Sequence, residues 1–147
     1  MSELTVRTSA GSYDVVIGAD ALRLALPLAD IVLIDDAVAG GAAVPASLPT
    51  IVVTANERLK TLGGCEEIVL GLRSAGATRG SCLLAIGGGC VQDAATFVAS
   101  LYMRGIPWIY APTTLMAVLD SCVGGKSSIN VGATKNLIGN IYPAVVG

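Results

Sequence analysis

Apolar and polar positions alternate at the start of the chain, with Leu4, Val6 and Thr8 followed by Tyr13, Val15 and Ile17 after Gly11-Ser12. A period of two predicts a pair of short strands with a tight turn between them. Asp20 to Leu28 predicts a short helix ended by Pro27. The pattern then changes to continuous apolar runs: Ile31–Ile34, Ile51–Thr54, Cys82–Ile86 and Ile106–Ala111. Unbroken runs of this length predict strands buried on both faces, as in a parallel sheet covered by helices. Gly40 to Pro49 reads as a loop of small residues, and Cys65 to Ala75 as a helix. A second helix follows Cys82–Ile86, with Val91, Ala94, Ala95, Val98, Leu101 and Tyr102 spaced to form one apolar stripe. Strand alternating with helix predicts an α/β fold with a mostly parallel sheet and an N-terminal β-hairpin. No repeat, low-complexity tract or linker interrupts the chain, so residues 1–147 are expected to form one domain.

Composition narrows the function. The chain is 53% hydrophobic and 14% charged, with a mean hydropathy of +0.71. The apolar stretch from Leu101 to Leu119 is broken by Arg104, prolines and threonines, so no membrane span is expected. A buried parallel sheet, together with apolar surface meant for a partner, is the better account. A net charge of −2 offers no footprint for nucleic acid. The opening MSELTVRTS lacks the pattern of a signal peptide, and the four cysteines show no CxxC spacing. A cytoplasmic protein with free thiols is expected. The chain contains no histidine, so histidine cannot serve as base or metal ligand within it.

Gly87-Gly88-Gly89 separates a buried strand from a helix. The turn either lets a phosphate approach the helix N-terminus or is simply tight. Asp93, expected in the first helical turn, either opposes the helix dipole or touches a ligand. Thr113 and Thr114 follow a strand's C-terminal end, where open α/β sheets bind ligands, although both could act as helix caps. Asp35 follows another strand end and is either a ribose ligand or a solvated loop carboxylate. From Asp120 to Asn136 the chain predicts a long polar loop carrying Asp120, Lys126, Asn130, Lys135 and Asn136 among glycines and serines. Long ordered loops are usually functional, and this one suits an anionic, hydroxyl-rich substrate such as a sugar phosphate.

These motifs together resemble the N-terminal half of the 3-dehydroquinate synthase and wider sugar phosphate cyclase family. The resemblance rests on Asn56-Glu57-Arg58-Leu59-Lys60, Gly87-Gly88-Gly89 with Asp93, Arg104-Gly105 and Pro112-Thr113-Thr114-Leu115. It continues through Asp120-Ser121-Cys122-Val123-Gly124-Gly125-Lys126 and Lys135-Asn136-Leu137-Ile138-Gly139. It implies a Rossmann-like domain in which Asp35, Glu57, Lys60, Gly87, Gly88, Gly89, Asp93, Thr113 and Thr114 hold NAD. Arg104, Asp120, Lys126, Lys135 and Asn136 would be the catalytic residues lining the sugar-phosphate site, Lys135 also reaching the cofactor. The family's lyase reaction oxidises a ring hydroxyl transiently, expels phosphate, reduces the ketone again and closes a carbocycle by an aldol step. NAD is the hydride sink, and a divalent metal polarises the reacting hydroxyl.

The family's metal ligands, one glutamate and two histidines, lie in a C-terminal helical domain, and no metal ligand is assigned here. Zinc or cobalt is therefore expected from a missing half, either cut away or carried by a separate chain of a split heteromeric enzyme. The implied substrate is a heptulosonate phosphate-like sugar phosphate. Gln92 and Ser127-Ser128 depart from the family pattern, while Gly124-Gly125 favour the dehydroquinate or aminodehydroquinate branch. A non-catalytic nucleotide-binding or scaffolding remnant is the alternative. A relative of iron-dependent alcohol dehydrogenases would share GGG-x-x-x-D but not usually the Asp120–Lys126 loop.

Overall fold

The computed structural model describes residues 1–8 and 11–145. The alternating N-terminal segments form an antiparallel hairpin of β1 (Ser2–Thr8) and β2 (Gly11–Ile17), with Leu4 opposite Val15 and Val6 opposite Tyr13. The turn expected between them falls at residues 9–10, outside the described residues. The predicted first helix is shorter than expected: α1 (Ala21–Ala25) gives way to a 3-10 turn, Leu26–Leu28, with Pro27 in it.

The four apolar runs become β3 (Ile31–Asp35), β4 (Thr50–Val53), β5 (Leu83–Gly87) and β6 (Trp108–Pro112). They pair in the order β4-β3-β5-β6, all parallel. Alternate residues face opposite sides of the sheet. Ile31, Leu33, Leu83, Ala85, Trp108 and Tyr110 join one core. Val32, Ile34, Leu84, Ile86 and Ile109 join a second core on the other face. β3, β5 and most of β6 are therefore covered on both faces, which is why they show no polar alternation. β4, at the sheet edge, is not buried as expected, with Thr50 and Val52 exposed and Ile51 and Val53 half-buried.

Two 13-residue helices, α3 (Leu62–Ser74) and α4 (Gly89–Leu101), lie on the first face. A shorter α2 (Asp36–Ala39), not predicted, follows β3, and α3 starts earlier than expected because Thr61 caps it, its hydroxyl accepting the Gly64 N–H at 3.1 Å. The expected stripe on α4 holds except at Leu101, which is 57% exposed. There the helix ends, and Tyr102 takes the core position instead, its hydroxyl donating to the Ala77 carbonyl at 3.2 Å.

The polar stretch from Asp120 to Asn136 is not the plain loop expected. A π-helical turn spans Ala117–Ser121, and a second hairpin follows, formed by β7 (Ile129–Val131) and β8 (Thr134–Ile138). Ile129 is anchored in the core and Gly132 makes the turn at φ 58°. Ile129 pairs with Ile138 and Val131 with Thr134, so two steps on β7 span four on β8. The surplus makes β8 bulge, and Asn136 sits in the bulge at φ 53°. Bulges of this kind re-aim side chains.

Candidate functional site

The C-terminal ends of all four parallel strands lie along one edge of the sheet, the usual ligand edge of open α/β folds. Asp35 closes β3, Gly87 closes β5, and Thr113 and Thr114 follow β6. The Thr113 N–H donates to the Gly87 carbonyl at 3.0 Å, which joins the two strand ends. A Cβ built on Gly88 would stand 3.0 Å from Thr114 Cγ2, so a side chain there would crowd the turn. α4 starts directly behind it with no side-chain cap. Its first N–H groups are thus left for solvent or an anion.

A charged cluster stands one helical turn further on. Lys60, only 9% exposed, places its Nζ 2.8 Å from Asp93 Oδ2. Asp93 is not in the first turn of α4 as the sequence implied, because the helix already begins at Gly89. Its partner is the lysine, not the helix dipole. Burial works against the Lys60 charge, but the Asp93 hydrogen bond and charge more than offset it and raise its pKa. Burial pushes the Asp93 carboxyl up, against the pull of Lys60 and a backbone hydrogen bond from Ser128. Lys60 Nζ also donates to Asn136 Oδ1 at 3.3 Å.

Glu57 completes the cluster. Its Oε2 accepts from Asn130 Nδ2 at 2.8 Å and lies 3.9 Å from Lys135 Nζ. The Asn130 hydrogen bond, then the Lys135 charge, hold its carboxyl below the ordinary glutamate range. Cys90 shares this corner, and burial raises its thiol despite the nearby Lys60. The cluster therefore holds two ammonium groups, two carboxylates and two amides at the ligand edge.

The Asp120–Lys126 segment is held down from two sides. Gln92, 3% exposed, donates from Nε2 to the Lys126 carbonyl at 2.7 Å and to Thr96 Oγ1 at 3.2 Å. Gln92 thus clamps this segment to α4. From the hairpin side, the buried Tyr13 hydroxyl accepts the Gly124 N–H at 2.7 Å. Tyr13→Phe is expected to cost about 1 kcal/mol, the usual net value of one hydrogen bond, since Gly124 is half-buried and water can reach its N–H. Amide hydrogen exchange should speed up at Gly124 while the β1–β2 amides stay protected. Asp120 and Lys126 are exposed, so their side chains are available to a ligand.

The sequence-predicted residues are not all assembled. Glu57, Lys60, Asp93, Lys135 and Asn136 form one contact network, next to the Gly87–Gly89 turn. Asp35 caps α2, accepting from Ala37 N at 3.3 Å and Ala55 N at 3.4 Å, and Thr114 Oγ1 accepts from Ala117 N at 3.3 Å. Both keep their structural roles while remaining at the ligand edge. Arg104 lies at the opposite edge, between the end of α4 and the start of β6, and is not brought to the cluster by this chain. The part of α4 beyond Asp93 separates the two, about 12 Å by its rise. Asn130, one of the polar residues of the Asp120–Asn136 stretch but not among the implied ligand residues, joins this network. The available signal was a polar amide between the apolar Ile129 and Val131; the structure buries it to 8% exposure.

Among the described residues, no group of three or more His, Cys, Asp or Glu side chains could hold a metal ion. No helix among them is long and apolar enough to cross a membrane.

The family model for the N-terminal part of 3-dehydroquinate synthase matches residues 50–146. A 3-dehydroquinate synthase from Koribacter versatilis is 39% identical across 97% of this chain, which covers 44% of that protein. A solved 2-deoxy-scyllo-inosose synthase, complexed with carbaglucose-6-phosphate, NAD+ and Co2+, superposes with a TM-score of 0.82 at 25% identity. That match spans 99% of this chain and 44% of the other. The 2-epi-5-epi-valiolone synthase of Streptomyces hygroscopicus, with NAD+ and Zn2+ bound, matches at a TM-score of 0.79 and 30% identity, over 91% of this chain and 41% of its own. The chain therefore spans less than half the length of these relatives.

Proposed function

The chain belongs to the 3-dehydroquinate synthase family through the family's N-terminal part, and from that premise we propose that it is the NAD-binding half of a sugar phosphate cyclase. The observation that carries the reading is the Glu57–Lys60–Asp93–Asn136 network beside the uncapped start of α4. The residues fit a dinucleotide: a glycine turn and free helix N–H groups for the pyrophosphate, and Asp35 at a neighbouring strand end for a ribose hydroxyl. They do not fit the family's metal, since no cluster of ligands exists among the described residues and the sequence has no histidine. In this reading the metal ligands come from outside these 147 residues, in a domain or chain that meets this one.

Bound NAD would supply the hydride acceptor for transient oxidation of a ring hydroxyl. The chain's own residues hold and orient. Asp93 keeps Lys60 protonated, and Lys60 in turn fixes Asn136 at the junction of the two ligands. Lys126 and Lys135 supply positive charge for the sugar phosphate, with Asp120 available to a hydroxyl. The overall reaction would be phosphate elimination followed by intramolecular aldol closure on a heptulosonate phosphate-like substrate.

Calorimetric titration of the chain with NAD tests the reading. Saturable binding that weakens in Lys60→Ala is the expected result. No binding by the folded wild-type chain would sink it. Alanine at Lys126 or Lys135 then separates a cyclase from a scaffold. A cyclase assembled with its metal-binding part should lose turnover, whereas a scaffold should keep its biological activity.

A further inference from the structure

We propose that Asn130 is a positioning residue that locks the Glu57–Lys60 turn to the Lys135–Asn136 bulge, so that the cofactor side and the substrate side of the site are held as one unit. The inference deepens the cyclase reading and rests on it for the roles of the two sides. The contacts themselves stand apart from that reading.

Every polar group that Asn130 can direct is committed. Its main-chain N–H donates to the Lys60 carbonyl at 2.7 Å. Its Oδ1 accepts the Asn136 N–H at 2.8 Å. Its Nδ2 donates to Glu57 Oε2 at 2.8 Å and lies 3.5 Å from the Glu57 carbonyl. Asn136 Oδ1 then accepts from Lys60 Nζ at 3.3 Å, which closes a ring from Asn130 through Asn136 and Lys60 and back. A side-chain amide can donate to a carboxylate and accept a main-chain N–H from separate atoms at once; an aspartate lacks the donor and an aliphatic residue lacks both.

The bulge has little else to hold it. Residues 134–137 are all exposed, and Asn136 keeps a left-handed φ of 53°. Asparagine visits this region more readily than most residues, and a hydrogen bond to its main-chain N–H holds it there. Asn130 accepts that bond from a site 8% exposed, while β7 is held against Thr61 by a parallel bridge at Asn130. A ligand that moves Glu57 or Lys60 must then move Asn136, and by linkage the reverse holds.

Asn130→Asp is nearly isosteric and keeps the acceptor for Asn136, but it sets a carboxylate against Glu57. Asn130→Ala removes both arms. Carbon-13 titration of the Glu57 carboxyl and the amide spectrum of residues 135 and 136 read the two arms separately, with and without NAD. In wild type the Glu57 carboxyl should titrate below an ordinary glutamate, and in Asn130→Asp it should move upward. NAD should shift the Lys135 and Asn136 amides in wild type and leave them nearly unmoved in Asn130→Ala. NAD affinity should fall about tenfold in both variants, the size of one lost hydrogen bond to a charged group. An unchanged Glu57 titration in folded Asn130→Asp overturns the proposal, as do undiminished NAD-induced shifts in folded Asn130→Ala. If Asn130→Ala does not fold, Asn130→Asp decides. If wild type fails to bind NAD, the cofactor reading falls, and the Glu57 titration with the Asn136 amide decides the positioning role alone.

Discussion

Gly139→Ala should destabilise the chain by about 3 kcal/mol or more, the upper range for overpacking a rigid site. An added Cβ would run into the Ser127 carbonyl oxygen, which is backbone and cannot swing aside. Nor can the strand around it retreat. The Ser127 N–H donates to the Asn140 carbonyl at 2.9 Å, and the Asn140 N–H donates to Ser127 Oγ at 2.8 Å. Asn140 Nδ2 is itself bound to Ser100 Oγ on α4. Gly125, which faces the same strip, is equally tight: at φ 58° its Cβ would meet Pro143 N at 2.6 Å. The two glycines let residues 139–145 pass directly beneath the Lys126 segment. Urea unfolding measures the effect as a lowered midpoint. Gly40→Ala is the control, since nothing lies within 4 Å of its Cβ, and it should change the midpoint little. A Gly139→Ala midpoint equal to wild type would show that this strip is not packed as described.

Lys60→Ala is the second large effect, about 3 kcal/mol, near the lower end for breaking a buried ion pair. The lower end applies because the two side chains keep 11% and 16% of their surface. The loss comes from leaving Asp93 ionised and largely buried with no cation beside it. Removing both charges, as in Lys60→Met with Asp93→Leu, should recover most of the stability while NAD binding, under the proposed function, stays weakened. The pH dependence has a definite sign. Lys60 has a raised pKa in the folded chain, so its contribution is complete below the ordinary lysine range and is lost as pH rises through the folded value. Asp93 has a raised pKa too, so its ionised form costs stability at neutral pH, and acidification through the folded value relieves that cost. Without Lys60 the Asp93 carboxyl rises further. The gap in urea midpoint between wild type and Lys60→Ala should therefore narrow as pH falls through the carboxylate range. A gap independent of pH would mean that the lysine acts through its apolar stem alone.

The strands and the ligand edge were legible in the sequence for a simple reason. Residues such as Leu33 and Ile34 are fully buried on opposite faces, so the run carries no polar position and its ends carry Asp35, Gly87 or Thr113. Burial on two faces writes itself into four or five consecutive residues. Leu101 misled for the converse reason: helical spacing counts it into the stripe, but the helix ends there and Tyr102 supersedes it. The second hairpin escaped because β8 is almost wholly exposed and has no alternation to read.

By itself, then, the sequence determined the parallel α/β architecture, the glycine turn and the residues available for charge at its edge. Only the tertiary structure decided which of those residues meet. Lys60 reaches Asn136 across 76 positions and Glu57 reaches Asn130 across 73, distances at which no local period carries information. It also turned Asp93 from the helix dipole to Lys60, set Arg104 at the far edge and gave Asn130 its place at the centre. Local hydrophobic pattern fixes what must be buried. The pairing of polar groups depends on how the buried pieces stack, because an amide or an ion pair is stabilised only by the particular partner that packing brings within about 3 Å.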